Sequence, residues 1–225
     1  FVSISTGTVN VTGDITMPGA ADRNYILFTS NGILNITGGF LGGAGGITLS
    51  GTSTVNYNAS GNQTIGNYAY DNLQLSNSGI KTLAASATIN KDLIISGTTQ
   101  LDPTTTPYNI SVKGNWNVTS TNADPFIEQT SRVTFAGTAN SQSISTVLAA
   151  GETFYNTTIN NSFGTSPQLS IDKNLNINTT TVHYGGCDAN YGKFMKVSHM
   201  KYKIRCANLD FERIIPLVNS KKKSK

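Results

Sequence analysis

Four short words recur in the same order along this chain of 225 residues. Ser53-Thr-Val-Asn-Tyr returns as Ser131-Arg-Val-Thr-Phe, and Gln63-Thr-Ile returns as Gln142-Ser-Ile. Asn72-Leu-Gln-Leu-Ser-Asn-Ser returns as Asn156-Thr-Thr-Ile-Asn-Asn-Ser, and Ile89-Asn-Lys-Asp-Leu-Ile-Ile returns as Ile171-Asp-Lys-Asn-Leu-Asn-Ile. The offset between copies is nearly the same for all four words. A nearly constant offset with small drift marks one duplicated unit whose loops later changed length. Such self-similarity restricts the architecture before any single residue is considered.

The words are strand-like. From Phe1 onward, apolar residues come in short alternating runs broken by Gly, Asn, Asp or Ser, as in Tyr25-Ile-Leu-Phe before Asn31-Gly32. Runs of roughly 4–6 residues bounded by turn chemistry read as β-strands. No helical period appears before Val182. Leu73 and Leu75 are expected to point inward, with Gln74 and Ser76 outward; Thr157 and Ile159 take the inward places in the second copy. Asn90-Lys-Asp and Asp172-Lys-Asn exchange Asp for Asn freely, which suits a turn that either side chain can brace.

Units of this kind can build an up-and-down sandwich or a coil of stacked rungs. Short strands, Asn at the bends and few charges favour the coil. In a parallel β-solenoid each rung buries its inward side chains on the rung below, and Asn at equivalent turn positions can hydrogen-bond up the stack. The ends of such a coil are open strand edges, which call for a cap, a neighbouring domain or a self-associating partner.

Charge divides the chain. Residues 1–182 hold six Lys/Arg against nine Asp/Glu, whereas residues 183–225 hold ten against three. Both cysteines (Cys187, Cys206) and both histidines (His183, His199) lie in that second part. The chain therefore reads as a repeat domain over 1–182 and a basic, Cys- and His-containing tail over 183–225. A disulfide between Cys187 and Cys206 suits an oxidising compartment. Their spacing with the histidines matches no zinc pattern, so no metal or cofactor is expected. Lys221-Lys-Lys-Ser-Lys reads as a solvated terminus and not as a nucleic-acid site. No apolar stretch approaches the ~20 residues of a membrane helix. A start at Phe1 without a basic-then-apolar leader suggests a processed chain or a piece of a longer protein.

Catalytic chemistry finds little material before residue 183. No His or Cys is present there to activate a nucleophile. Glycoside hydrolysis needs two carboxyl groups about 5–9.5 Å apart. Asp124 and Glu128 flank Pro125-Phe126 in what reads as a structural loop, and the remaining acids are expected on different rungs. No catalytic residue is assigned, and the chain is not expected to be an enzyme. Trp116, Tyr68 and Tyr70 are the residues that could contact a sugar, although rings of this kind more often pack inside a coil. Asn-X-Ser/Thr triplets, as at Asn10, Asn35 and Asn117, follow from a composition rich in those residues. Thr-rich runs at Thr104 and Thr179 do not recur at equivalent repeat positions, which argues against an ice-binding face.

Val133-Thr-Phe-Ala-Gly-Thr, Gln142-Ser-Ile, Phe154-Tyr-Asn-Thr-Thr-Ile-Asn-Asn-Ser and Gly114-Asn-Trp-Asn resemble the repeats of large bacterial surface proteins. Those proteins are adhesin-like, rich in β-strands and often exported by type IX secretion. The resemblance covers residues 46–182 and implies a right-handed parallel β-helix within a long extracellular protein. It supplies no catalytic residues. Residues 183–225 do not resemble the small β-sandwich sorting domain that ends such proteins. The combined expectation is an all-β parallel β-helix (solenoid) with a short basic C-terminal tail. It would act as a structural, extracellular, cell-surface segment supporting adhesion or matrix contact. Its expected partners are a surface glycan or matrix polymer, neighbouring repeat domains, or another copy meeting it through the solenoid ends. A carbohydrate-binding or carbohydrate-cleaving β-helix is the alternative.

Overall fold

A computed structural model describes residues 1–18, 24–41, 45–49, 51–163, 169–178 and 182–184. Every regular element among them is a β-strand, and every strand pair is parallel. The chain is a β-solenoid. Its longest sheet has eight strands: Thr8–Val11, Ile33–Ile36, Thr54–Tyr57, Asn72–Leu75, Leu93–Ile95, Trp116–Val118, Gln142–Thr146 and Leu169–Ile171. These define coils 1 to 8. In each coil the strand on a second face precedes the long-sheet strand, and a strand on a third face follows it in every coil but the sixth. The second face carries Val2–Ile4, Tyr25–Phe28 and Gly46–Thr48, then a six-stranded sheet from Ala69–Tyr70 to Val182–Tyr184. That last strand straddles the boundary expected near Val182. The rest of the tail lies outside the described residues, including Cys187, His199, Cys206 and residues 221–225.

Parallel pairing in a single register stacks like on like. Along the long sheet, Val9, Leu34, Val55, Leu73, Leu93, Trp116, Ile144 and Ile171 form one inward column. Successive members such as Val55 and Leu73 lie far closer in the chain than two copies of a word, so one coil is much shorter than the duplicated unit. Leu73, Leu75 and Thr157 are fully buried and Ile159 nearly so, as the alternation predicts. Burying each such aliphatic side chain contributes roughly 1.5–3 kcal/mol.

The duplicated words do not stack on one another. The word at 53–57 lies on the long sheet, whereas its copy at 131–135 lies on the second face. Gln63-Thr-Ile forms a third-face strand, whereas Gln142-Ser-Ile belongs to the long sheet. The unit was therefore copied out of phase with the three-sided coil. A strand word tolerates this because each face asks the same thing of it, an alternating inward and outward side chain.

Side-chain hydrogen bonds tie the coils together outside the core. Asn35 Nδ2 donates to Asn10 Oδ1 at 2.8 Å and Asn56 Nδ2 donates to Asn35 Oδ1 at 3.0 Å. This amide ladder stands on the outward face of the strands, where the sequence had suggested the turns. A second column sits where the chain enters the long sheet. The backbone N–H of Asp92 donates to Asn72 Oδ1, that of Asn115 to Asp92 Oδ1, and that of Ser143 to Asn115 Oδ1. The acceptor oxygen is common to Asp and Asn, so the two residues interchange at this bend.

Candidate functional site

The third face is discontinuous. Its sheets comprise Ile15–Thr16 with Phe40–Leu41, then Gln63–Ile65, Ile80–Leu83 and Gln100–Asp102, and last Glu152–Phe154 with Leu175–Ile177. Among the described residues of coil 6, the pairing on this face is a single bridge between Leu101 and Phe126, and no ladder joins Phe126 to Glu152–Phe154. The gap leaves a cleft of about 200 Å³ lined by Asp124, Pro125, Leu148, Gly151 and Glu152.

Stacking of adjacent coils brings acids together here that are far apart in the chain. Asp124 and Glu128 come from the coil 6 loop, as expected, and Glu152 comes from coil 7. Asp124 is exposed on the cleft rim, and partial desolvation raises its carboxyl pKa. Glu128 accepts a hydrogen bond from Asn178 Nδ2 at 2.7 Å. Glu152 occupies an inward position of its strand and is 2% exposed. Burial pushes its carboxyl up to about 8, and the negative charges of Asp124 and Glu128 add to the shift. The Trp116 indole N–H and the Thr153 backbone pull the other way without offsetting it. Glu152 is thus a neutral acid at pH 7. Its Oε2, like Trp116 Nε1, is buried and makes no hydrogen bond of normal geometry.

Trp116 anchors an aromatic knot drawn from all three faces. Its ring lies 5.0 Å from Phe126, 5.0 Å from Phe154 and 6.4 Å from Phe135, each edge to face. Edge-to-face pairs add about 0.5–1.5 kcal/mol beyond the area they bury. This knot corrects the sugar-contact expectation for Trp116, because a ring with 0% exposure has no face to offer a ligand. Tyr70 is corrected on the same ground. Its hydroxyl lies 3.0 Å from that of Tyr57 and donates to Gly66 O at 2.6 Å, and burial raises both phenol pKa values. Tyr68 is half-buried, its ring packs 4.7 Å from Phe40, and its hydroxyl is covered. The rings around Trp116 and Tyr70 come from the same and the adjacent coil, so their packing partners are fixed by coil stacking, while the alternation of Trp116-Asn-Val118 already points Trp116 to the inward side.

A second buried ionisable side chain is Lys81. It is fully buried, and its Nζ donates to Ala59 O at 2.9 Å and to Gly61 O at 2.8 Å. Desolvation lowers its pKa to about 8. Lys81 stands in register with Gln63, whose Nε2 donates to Ile36 O and Gly38 O one coil earlier. The lysine thus repeats a structural bridge from carbonyl to carbonyl.

On the second face, register aligns Thr88, Ser111, Thr134 and Thr158 in one outward column. These hydroxyls recur at nearly equal spacing along the chain, and only the strand register shows that they share one face. A parallel rank two residues further on is absent, since Asn90, Lys113, Ala136 and Asn160 stand there.

Among the described residues no group of three or more His, Cys, Asp or Glu is arranged to hold a metal ion, and no helix is long and apolar enough to cross a membrane. Comparison with protein-family models, with curated proteins and with solved structures returns no match for this chain.

Proposed function

We propose that this chain is a structural segment of an extracellular bacterial surface protein, a β-solenoid that supports adhesion or matrix contact and performs no chemistry of its own. The observation that carries the reading is the eight-stranded parallel sheet, continuous through all eight coils and reinforced outside by the ladder of Asn10, Asn35 and Asn56. A rod built this way resists bending and holds its outward columns of Asn, Ser and Thr at regular spacing. Surface glycans or matrix polymers then meet many weak contacts at once, and the contacts add through effective concentration. The test is retention of soluble matrix polysaccharides and oligosaccharides on the immobilised full chain, with the products analysed for size. Retention without shortening is the expected result. Shortened products would overturn the non-enzymatic reading.

The alternative, a carbohydrate-cleaving β-helix, draws support from one feature. Glu152 holds its proton at pH 7 beside the rim carboxylate Asp124, and a paired acid and base is what glycoside cleavage requires. The buried, inward Glu152 carboxyl favours the structural reading over this one.

A further inference from the structure

The cleft between coils 6 and 7 presents acids that nothing among the described residues answers. Its floor is Glu152, 2% exposed, whose Oε2 has no hydrogen-bond partner; Trp116 Nε1 beside it is unpaired as well. Its rim is Asp124. The hydrogen bonds of Asp124 run through its backbone, from its N–H to Asn122 Oδ1 and from Gln100 Nε2 to its C=O, so the exposed carboxylate is free. No Lys, Arg or His lines the cleft.

The backbone is open on both sides of the gap. Pro125 O accepts from the Leu101 N–H and the Ile127 N–H donates to Leu101 O, so Phe126 between them turns its own N–H and C=O toward coil 7. The Glu152 N–H donates to Asn174 O and Phe154 O accepts from Asn178, so Thr153 turns its C=O toward coil 6. A flat group can therefore enter between the coils without breaking a backbone hydrogen bond of either. The other walls are apolar. Ala123 and Pro125 stand on one side and Leu148, Ala149 and Ala150 on the other, next to Val147, which is 56% exposed.

We infer that this cleft is a binding site for an arginine side chain, its aliphatic stem against Leu148 and Ala150 and its guanidinium between the carboxyl groups of Asp124 and Glu152. A guanidinium is planar and carries N–H donors around its edge, which suits a slot walled by carboxyl groups and unpaired backbone carbonyls. A metal ion matches less well, because among the described residues no three acids are arranged to ligate one. Glu128 is already engaged by Asn178. The charged groups that face Glu152 are Asp124 and Glu128, both negative, and their field helps to keep its carboxyl neutral. A guanidinium reverses that field, so binding sends the Glu152 proton to solvent. The arginine has two possible sources of the same chemistry: Arg205 or Arg213 of the chain's own basic tail, or a basic segment of another protein. The site stands whether or not the solenoid is adhesive.

The experiment is an NMR titration of the full chain with argininamide, and with citrullinamide, which keeps the shape and lacks the guanidinium charge. Argininamide should shift the amide signals of Asp124 and of Leu148–Thr153 and move the Glu152 side-chain carboxyl carbon to its ionised position. Citrullinamide should leave them in place. Because binding releases a proton, affinity should rise by up to roughly tenfold per unit between about pH 6 and pH 8. Glu152→Gln should remove that pH dependence. Asp124→Asn, at the exposed rim, should weaken binding roughly tenfold at every pH. The carboxyl signal is read in the unmodified chain, so the outcome does not rest on the folding of either variant. Equal responses to the two probes, a Glu152 that keeps its proton in the saturated complex, or cleft signals that never move would each overturn the proposal. Arg205→Gln combined with Arg213→Gln identifies the source. Tighter argininamide binding than in the parent chain supports the tail as the occupant, and equal binding supports a separate basic partner.

Discussion

Gln63 and Gln142, counterparts in the two copies of one word, make the same three hydrogen bonds to backbone on different faces of the solenoid. Gln63 Oε1 accepts from the Ala59 N–H at 2.9 Å, and its Nε2 donates to Ile36 O and Gly38 O at 2.8 and 2.7 Å. Gln142 Oε1 accepts from the Gly137 N–H at 2.7 Å, and its Nε2 donates to Val112 O and Gly114 O at 3.0 and 2.5 Å. Each amide fastens the bend of its own coil to the coil before it. The corner is a portable unit, because nothing in its bonding refers to the face on which it stands.

Removing either amide strands buried backbone groups. Gln142→Leu should destabilise the chain by about 1–3 kcal/mol, the desolvation cost of unpaired buried polar groups. Gln63→Leu should behave alike. Urea denaturation of both variants checks this, and a loss at one site only would break the structural equivalence.

Glu152 makes stability depend on pH. Its folded pKa of about 8 lies above the ordinary value of 4.5. Below 4.5 both states hold the proton and no penalty applies. As pH rises from 4.5 to 8 the unfolded chain ionises while the folded chain does not, so stability falls, by about 5 kcal/mol at the top of the window. Glu152→Gln should flatten this decline, as seen in melting temperature measured from pH 4 to pH 9.

Lys81 acts in the opposite sense at higher pH. Its folded pKa of about 8 lies below the ordinary 10.5, so its penalty is full below pH 8 and is relieved as pH climbs toward 10.5. Together with Glu152 it predicts a stability minimum near pH 8. Lys81→Gln, which copies Gln63 one coil earlier, should keep the bridge to Ala59 and Gly61 and remove the rise above pH 8. Lys81→Leu should cost stability at every pH, and equal melting temperatures for the two variants at pH 7 would contradict the bridging role.

Leu75→Asp and Ile159→Asp place a carboxylate inside the coil. Leu75 is 0% exposed and Ile159 is 8% exposed, so both variants should fail to fold at neutral pH, with Leu75→Asp the more severe. Circular dichroism and thermal unfolding read this directly. Ordinary unfolding of either variant would contradict the inward register of its strand.

The strands were legible because alternation is a local property. Leu73-Gln-Leu75 and Thr157-Thr-Ile159 announce their inward residues whatever lies beside them. One bend was legible too, since Asp92 of the Asn90-Lys-Asp turn supplies an acceptor that chain geometry at a corner requires; the matching roles of Asn72 and Asn115 came only with the structure. The candidate cleft was only half visible. Asp124 and Glu128 are neighbours in sequence, but Glu152 joins them through coil stacking. The packing of Trp116 rests on Phe126, Phe135 and Phe154, which reach it from other strands.

Short strands, bounded by Asn-, Asp-, Ser- and Gly-containing turns and stacked on one another, follow from the order of residues alone. Local alternation and corner hydrogen bonds settle that much without reference to distant residues. The length of a coil, the face each duplicated word occupies, and the company of Glu152 and Lys81 emerge only in the assembled fold. Those depend on register between strands that a whole coil of chain separates, as between Val55 and Leu73 or Trp116 and Ile144. Register is set by the joint packing of three faces around one core, and no single stretch of sequence contains it.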